Sequence, residues 1–258
     1  MDGIGHIESI GVYNSSTKTL RAMVRKQNIN PSNFPAAVTL VGPTATITST
    51  GSGFDVGGNA LHTDGTADAN CTSQHGIATE ATAGNTATTL TGNAGDHITG
   101  SGGVTPDISN SQTTFTYTEA LAFYNATQPL ATDLGDDHIT GGTLGTLASP
   151  QISFVSENLT ISGTVSGVGV LIVNGNLDIQ GSLDFQGVIL IGACASCTGQ
   201  LVGTGSATIY GAMVVGNGIN ALANFTGNAQ IHYSCDALNN AAGALRSTFA
   251  VVSWSEVS

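Results

Sequence analysis

Apolar and polar positions alternate most regularly between residues 151 and 233, where a six-residue unit recurs: Asn158-Leu-Thr-Ile-Ser-Gly163, Asn176-Leu-Asp-Ile-Gln-Gly181, Ser182-Leu-Asp-Phe-Gln-Gly187, Ser206-Ala-Thr-Ile-Tyr-Gly211 and Asn228-Ala-Gln-Ile-His-Tyr233. The second and fourth residues of each unit are apolar and point the same way, which predicts a short strand with one buried face. Between units run apolar segments that do not alternate, 168–175, 188–192 and 212–216, each closed by glycine. Successive units begin 18, 6, 24 and 22 residues apart. Such spacing suits irregular coils better than a meander of fixed hairpins. One strand such as 177–179 buries too little apolar surface to stand alone, so the coils must stack. The fold class this predicts is all-β: a right-handed parallel β-helix (β-solenoid) with one short helix and an N-terminal β-hairpin.

The alternation of Ile7-Glu-Ser-Ile-Gly-Val-Tyr13 and Thr17-Lys-Thr-Leu-Arg-Ala-Met-Val-Arg25 around Asn14-Ser-Ser16 predicts that hairpin, a stem over residues 1–30. Two prolines in Pro31-Ser-Asn-Phe-Pro35 make 31–37 a linker. Residues 38–258 form the solenoid domain. Short β-like pieces between 37 and 103 supply its first coils or an irregular cap over its end. A helix is expected near 118–128, capped by Thr118, helped by Glu119 at its positive end and stopped by Pro129. It should pack across a face or an end of the solenoid.

Composition narrows the function. With 35 Gly and only 9% charged residues the chain is a turn-rich β protein, not a helical bundle. Its net charge is −12, yet Lys18, Arg21, Arg25 and Lys26 are four of its five basic residues, the fifth being Arg246. Residues 27–258 therefore carry one basic and 15 acidic side chains, a balance that repels phosphate backbones and anionic membranes. Nucleic acid is excluded as a partner, and a membrane enters only through a segment absent from this sequence. No apolar run reaches the roughly 18 residues of a membrane span, and no signal peptide is evident. Four cysteines and five Asn-x-Ser/Thr sites, at Asn14, Asn70, Asn125, Asn158 and Asn224, favour an exported, extracellular or cell-surface protein.

Four groups of residues invite chemistry. Gly95-Asp-His-Ile-Thr-Gly100 and Asp136-Asp-His-Ile-Thr-Gly141 repeat a motif able to hold a divalent ion with Asp133, but adjacent Asp and His on a strand face opposite ways, so coil corners are expected instead. Cys194-Ala-Ser-Cys197 has redox spacing but lies in a glycine-flanked loop, which predicts a local disulfide. An even cysteine count then pairs Cys71 with Cys235; a metal site of Cys71, His62 and His75 fits no strong zinc pattern. Asp178 and Asp184 stand six residues apart like a glycosidase pair, yet both fall between inward apolar residues and so face outward. No catalytic, cofactor-binding or metal-ligating residue is assigned, and no cofactor. The protein is expected not to be an enzyme.

The hairpin ending Arg21-Ala-Met-Val-Arg25, the segment Leu147-Ala-Ser-Pro-Gln-Ile-Ser-Phe154 and the run Gly169-Val-Leu-Ile-Val-Asn-Gly-Asn-Leu-Asp-Ile-Gln-Gly181 together resemble the extracytoplasmic part of bacterial pilus-assembly proteins of the PilX-like type. Gly187-Val-Ile-Leu-Ile-Gly192, Ile231-His-Tyr-Ser-Cys235 and Val252-Ser-Trp-Ser-Glu256 also look like that family, although its usual membrane helix is missing. The resemblance implies a non-enzymatic structural or adhesive component of a type IV pilus or similar filament. Its partners would be filament subunits, or copies of itself joined through the hairpin. The alternative from a different class is a secreted carbohydrate-binding or carbohydrate-active β-helix protein.

Overall fold

The computed structural model describes residues 4–14, 16–26, 29–49, 53–194, 197, 199–203, 205–245 and 249–257. Among these the chain is all-β, with a 17-stranded parallel sheet curled into a half-barrel, a 3-stranded antiparallel sheet and two short helices. The parallel sheet consists of three ladders. Ladder A stacks Thr132–Asp133, Gln151–Val155, 169–173, 187–191, 211–215, Ala36–Leu40, His75–Thr79 and Ile108–Ser109. Ladder B stacks 138–139, 159–161, Leu177–Ile179, Gln200–Gly203, Asn220–Phe225, Thr44–Ser49 and Thr86–Leu90. Ladder C stacks 141–144, 164–168, 182–186, 206–210, Asn228–Tyr233, Asp55–Gly57 and Ile98–Thr99. Between residues 151 and 233 the chain visits A, B and C in turn and returns to A one rung further on.

Ladders B and C carry the alternating units. Leu159, Ile161, Leu177, Ile179, Leu183, Phe185, Ile209 and Ile231 point inward and are buried, whereas Ser182, Asp184 and Ser206 between them are exposed. Ladder A is made from the non-alternating runs, and 170–173, 188–191 and 212–215 are buried throughout. Strands covered on both faces read as continuous apolar sequence, and the second cover here is helix α2 (Cys235–Ala242), which packs on 169–173, 187–191 and 211–215 through Leu238 and Ala241. The bend from C into A is a column of glycines, Gly169, Gly187 and Gly211, at φ of 137°, 140° and 134°. A Cβ on Gly187 would lie 2.0 Å from the Gly169 carbonyl oxygen and 2.9 Å from Ala241 Cβ, so only glycine fits between the next rung and the helix.

The expectation of a single helix is corrected by α2. Ser234 caps it, its hydroxyl accepting from the Ala237 N–H at 3.3 Å, and Asp236 sits in its first turn. Helix α1 (Tyr117–Thr127) starts one residue before the expected cap, because Thr116 lies three residues ahead of Glu119 and donates its N–H to that carboxylate at 3.0 Å. Pro129 falls in the 3-10 turn Gln128–Leu130 that closes it.

Rung order along the stack is not chain order. The strands from 36 to 57 stack beyond the rung 211–233, with Val38 opposite Met213, Thr44 opposite Asn220 and Asp55 opposite Gln230. Rungs from 75 to 109 follow. The early pieces are thus the last coils, and the chain must travel back to begin the first rung at Thr132. Helix α1 makes that return: the Tyr117 N–H donates to Glu80 at 2.8 Å, the Tyr117 hydroxyl to the Cys194 carbonyl at 3.4 Å, and Asn174 donates to the Tyr124 hydroxyl at 3.3 Å. One helical turn rises about 5.4 Å and one rung about 4.8 Å, so each turn passes roughly one rung.

The hairpin pairs Ile4–Tyr13 with Ser16–Lys26 in antiparallel register, Ile4 opposite Arg25 and Tyr13 opposite Ser16. Its third strand comes from the far end of the chain, Phe249–Val257, which pairs with Ser16–Lys26. Between stem and ladder A, Pro31–Asn33 forms a 3-10 turn, and Phe34 is buried in a stacked contact with Phe115 at 5.0 Å.

Candidate functional site

Loop 58–74 leaves ladder C after Gly57 and crosses to His75 at the start of a ladder A strand. Three of its contacts tie it to the end of ladder C and the start of α2. The Leu61 N–H donates to the Tyr233 carbonyl at 3.1 Å. Cys71 is bonded to Cys235, the first residue of α2, with Cα atoms 5.9 Å apart. His62 Nδ1 lies 2.6 Å from Asp236 Oδ2, one residue beyond that cysteine. On the other side of the ring, His62 Nε2 stands 3.7 Å from Asp68 Oδ1. Single donor atoms of His62, Asp68 and Asp236 lie within 4.8 Å of one another. The hydrogen bond to Asp236, aided by the charges of Asp68 and Asp64, raises the His62 pKa above the ordinary histidine value. Asp64 is held down by the hydroxyl and N–H of Thr66, which both donate to Oδ1.

The same corner carries an aromatic pair. Tyr210 and His232 are neighbours on ladder C, their rings 5.7 Å apart at 31°, and Asp55 on the next rung approaches His232 Nε2 to 4.0 Å. Burial lowers the His232 pKa more than Asp55 raises it. The Tyr233 phenol turns the other way, donates to the Pro31 carbonyl at 2.8 Å and is pushed up to about 12 by burial. A further histidine and carboxylate pair closes the neighbouring rung: His75 Nδ1 lies 2.8 Å from Asp107 Oδ1, while Asp107 Oδ2 accepts the Gly102 N–H at 3.0 Å.

Of the residues singled out from sequence, the structure brings together both cysteine pairs; Cys194 and Cys197 have Cα atoms 5.2 Å apart. Cys71 is bonded to sulfur, and His62 and His75 are parted into different carboxylate pairs. Asp178 is on ladder B and Asp184 on ladder C, on two different faces of the same coil. The repeated Asp-His-Ile motifs sit at corners: Ile98 is buried, Asp136 accepts the His138 N–H at 3.0 Å, and His138 Nε2 lies 2.7 Å from the Ser162 hydroxyl. Arg246 lies outside the described residues. Sequence reasoning missed the His62, Asp68 and Asp236 cluster, although a signal existed. Asp68 precedes Cys71 by three residues and Asp236 follows Cys235 by one, so the expected disulfide draws them together.

Comparison with protein-family models, with curated proteins and with solved structures finds no match to this chain.

Proposed function

We propose that the chain is a right-handed parallel β-helix serving as a non-enzymatic structural or adhesive component of an extracellular filament, of the type IV pilus kind that its sequence motifs resemble. The repeated A, B, C circuit supports the helical reading, and parallel crossovers are right-handed in about 98% of cases. The two disulfides support an oxidising compartment.

The observation that carries the functional reading is the stem. It gathers both ends of the chain into one sheet, contains four of the five basic residues, and presents Ile7, Ile10, Val12 and Leu20 exposed. Strand Ile4–Tyr13 pairs on one side only among the described residues. An open, apolar edge strand is a template for another strand, and self-association through it builds the filament. Light scattering and negative-stain microscopy test this. Concentrated wild-type protein should assemble, and Ile10→Lys with Val12→Lys should hold it monomeric; a wild type that stays monomeric at high concentration refutes the reading.

The second reading, carbohydrate binding, is favoured by the adjacent, mutually tilted Tyr210 and His232 rings on a ladder whose outward residues include Ser182, Asp184, Ser206, Thr208 and Gln230. Glycan-array binding that Tyr210→Ala abolishes would establish it.

A further inference from the structure

Three residues meet at the corner between loop 58–74 and α2 in an arrangement with the chemistry of a metal centre. Asp68 is nearly enclosed, its side chain 5% exposed, whereas His62 and Asp236 are 39% and 45% exposed. Its Oδ1 accepts one hydrogen bond, the Asn70 N–H at 2.8 Å, and among the described residues nothing hydrogen-bonds Oδ2. With one hydrogen bond accepted, the carboxylate keeps lone pairs free to coordinate a cation. No Lys or Arg is paired with it among the described residues, and the His62 ring approaches it only to 3.7 Å, outside hydrogen-bond range.

The two contacts of that ring differ in kind. At 2.6 Å, Nδ1 to Asp236 is a hydrogen bond and too short for two ligands of one ion. At 3.7 Å, Nε2 and Asp68 Oδ1 are spaced for two ligands, since donors bound tetrahedrally at about 2.1 Å lie roughly 3.4 Å apart. A metal-bound imidazole typically donates its other N–H to a carboxylate, which fixes the tautomer and the ring plane. Asp236 is placed to accept that bond.

We propose that this corner is a binding site for a first-row divalent cation, zinc above all, with His62 Nε2 and Asp68 as ligands and Asp236 as the residue that orients His62. Imidazole with carboxylate is a donor set suited to zinc and its neighbours. The ion takes the place of the Nε2 proton, leaves Nδ1–H on Asp236, and keeps its remaining positions for water. Both ligands belong to loop 58–74, so the ion would brace the loop across its own turn, while the His62–Asp236 hydrogen bond holds that brace against α2 beside the Cys71–Cys235 bond.

Isothermal titration of zinc chloride into the full, disulfide-intact chain tests the site. A single saturable zinc per chain is expected, weakened at least tenfold in His62→Gln and in Asp68→Asn. Asp236→Asn should weaken it about tenfold, the usual effect of losing an orienting partner. His75→Gln, which removes the histidine of the His75–Asp107 pair, should bind like wild type. Far-UV circular dichroism in EDTA checks that the variants fold. Should Asp68→Asn not fold, Co²⁺ added to wild-type protein must broaden the His62 ring resonances before those of His75, His97 or His138. Absence of saturable binding at millimolar zinc, undiminished binding by folded Asp68→Asn, or broadening first at another histidine overturns the proposal.

Discussion

The glycine column shows how narrowly single residues are specified. At Gly187 the left-handed backbone, the Gly169 carbonyl and Ala241 each exclude a side chain. Gly187→Ala is expected to cost about 3 kcal/mol, the combined scale of positive-φ strain and overpacking, and to shift the urea midpoint accordingly. An alanine variant as stable as wild type would show that the column is not under that constraint. His232 makes a pH-dependent contribution. Its folded pKa is lowered, chiefly by burial, with Asp55 opposing and the Tyr210 ring alongside. Folding therefore favours the neutral ring, so stability is full above the unfolded value of about 6.5 and declines as pH falls through it toward the lowered folded value. Thermal melts of wild type and His232→Gln between pH 8 and pH 5, roughly the span of histidine titration, should converge as the pH drops. Parallel pH profiles would exclude this role.

At the scale of elements, alternation is legible where one face is buried and the other wet, which is why the units at 158, 176, 182, 206 and 228 coincide with ladders B and C. The runs Gly169-Val-Leu-Ile-Val173 and Gly187-Val-Ile-Leu-Ile191 carry a second message, that ladder A is covered on both sides, and something had to cover it. Helix α2 is that cover. Its apolar residues Ala237, Leu238, Ala241 and Ala242 repeat at helical spacing behind the cap Ser234, but eight residues with two asparagines make a weak signal beside strands of ten or more. The disulfide Cys71–Cys235 joins α2 to loop 58–74 across 164 residues of sequence. Closing so long a loop should contribute about 3–5 kcal/mol through the unfolded chain. Cys71→Ser with Cys235→Ser should lower the denaturation midpoint accordingly and raise hydrogen exchange first in 58–74. Equal loss of protection across all three ladders would place the effect elsewhere.

At the scale of the molecule, the feature least legible in the sequence is the order of the rungs. Nothing local in Ala36–Leu40 or Thr44–Ser49 tells whether they begin the stack or end it, because a parallel ladder accepts a rung on either open edge. The answer comes from partners far away in sequence: the edge left open by 211–233 is filled by 36–57, and strand Ser16–Lys26 takes Phe249–Val257. The first hundred residues and the last fifty are therefore held together by three parallel ladders, one antiparallel pair and one disulfide, while a single chain crossing at 101–106 connects 1–100 to the remainder. That crossing is exposed throughout, so its backbone is accessible to a protease. If the ladders carry the association, cutting the covalent chain there should cost little more than a loop. A protease site inserted between Gly103 and Val104 should be cleaved in the folded protein, and the two fragments should elute together from a sizing column, under reducing as under oxidising conditions. They should part only in denaturant with reductant. Separation of the fragments by reductant alone would mean that the Cys71–Cys235 bond, rather than strand pairing, joins the early rungs to the late ones.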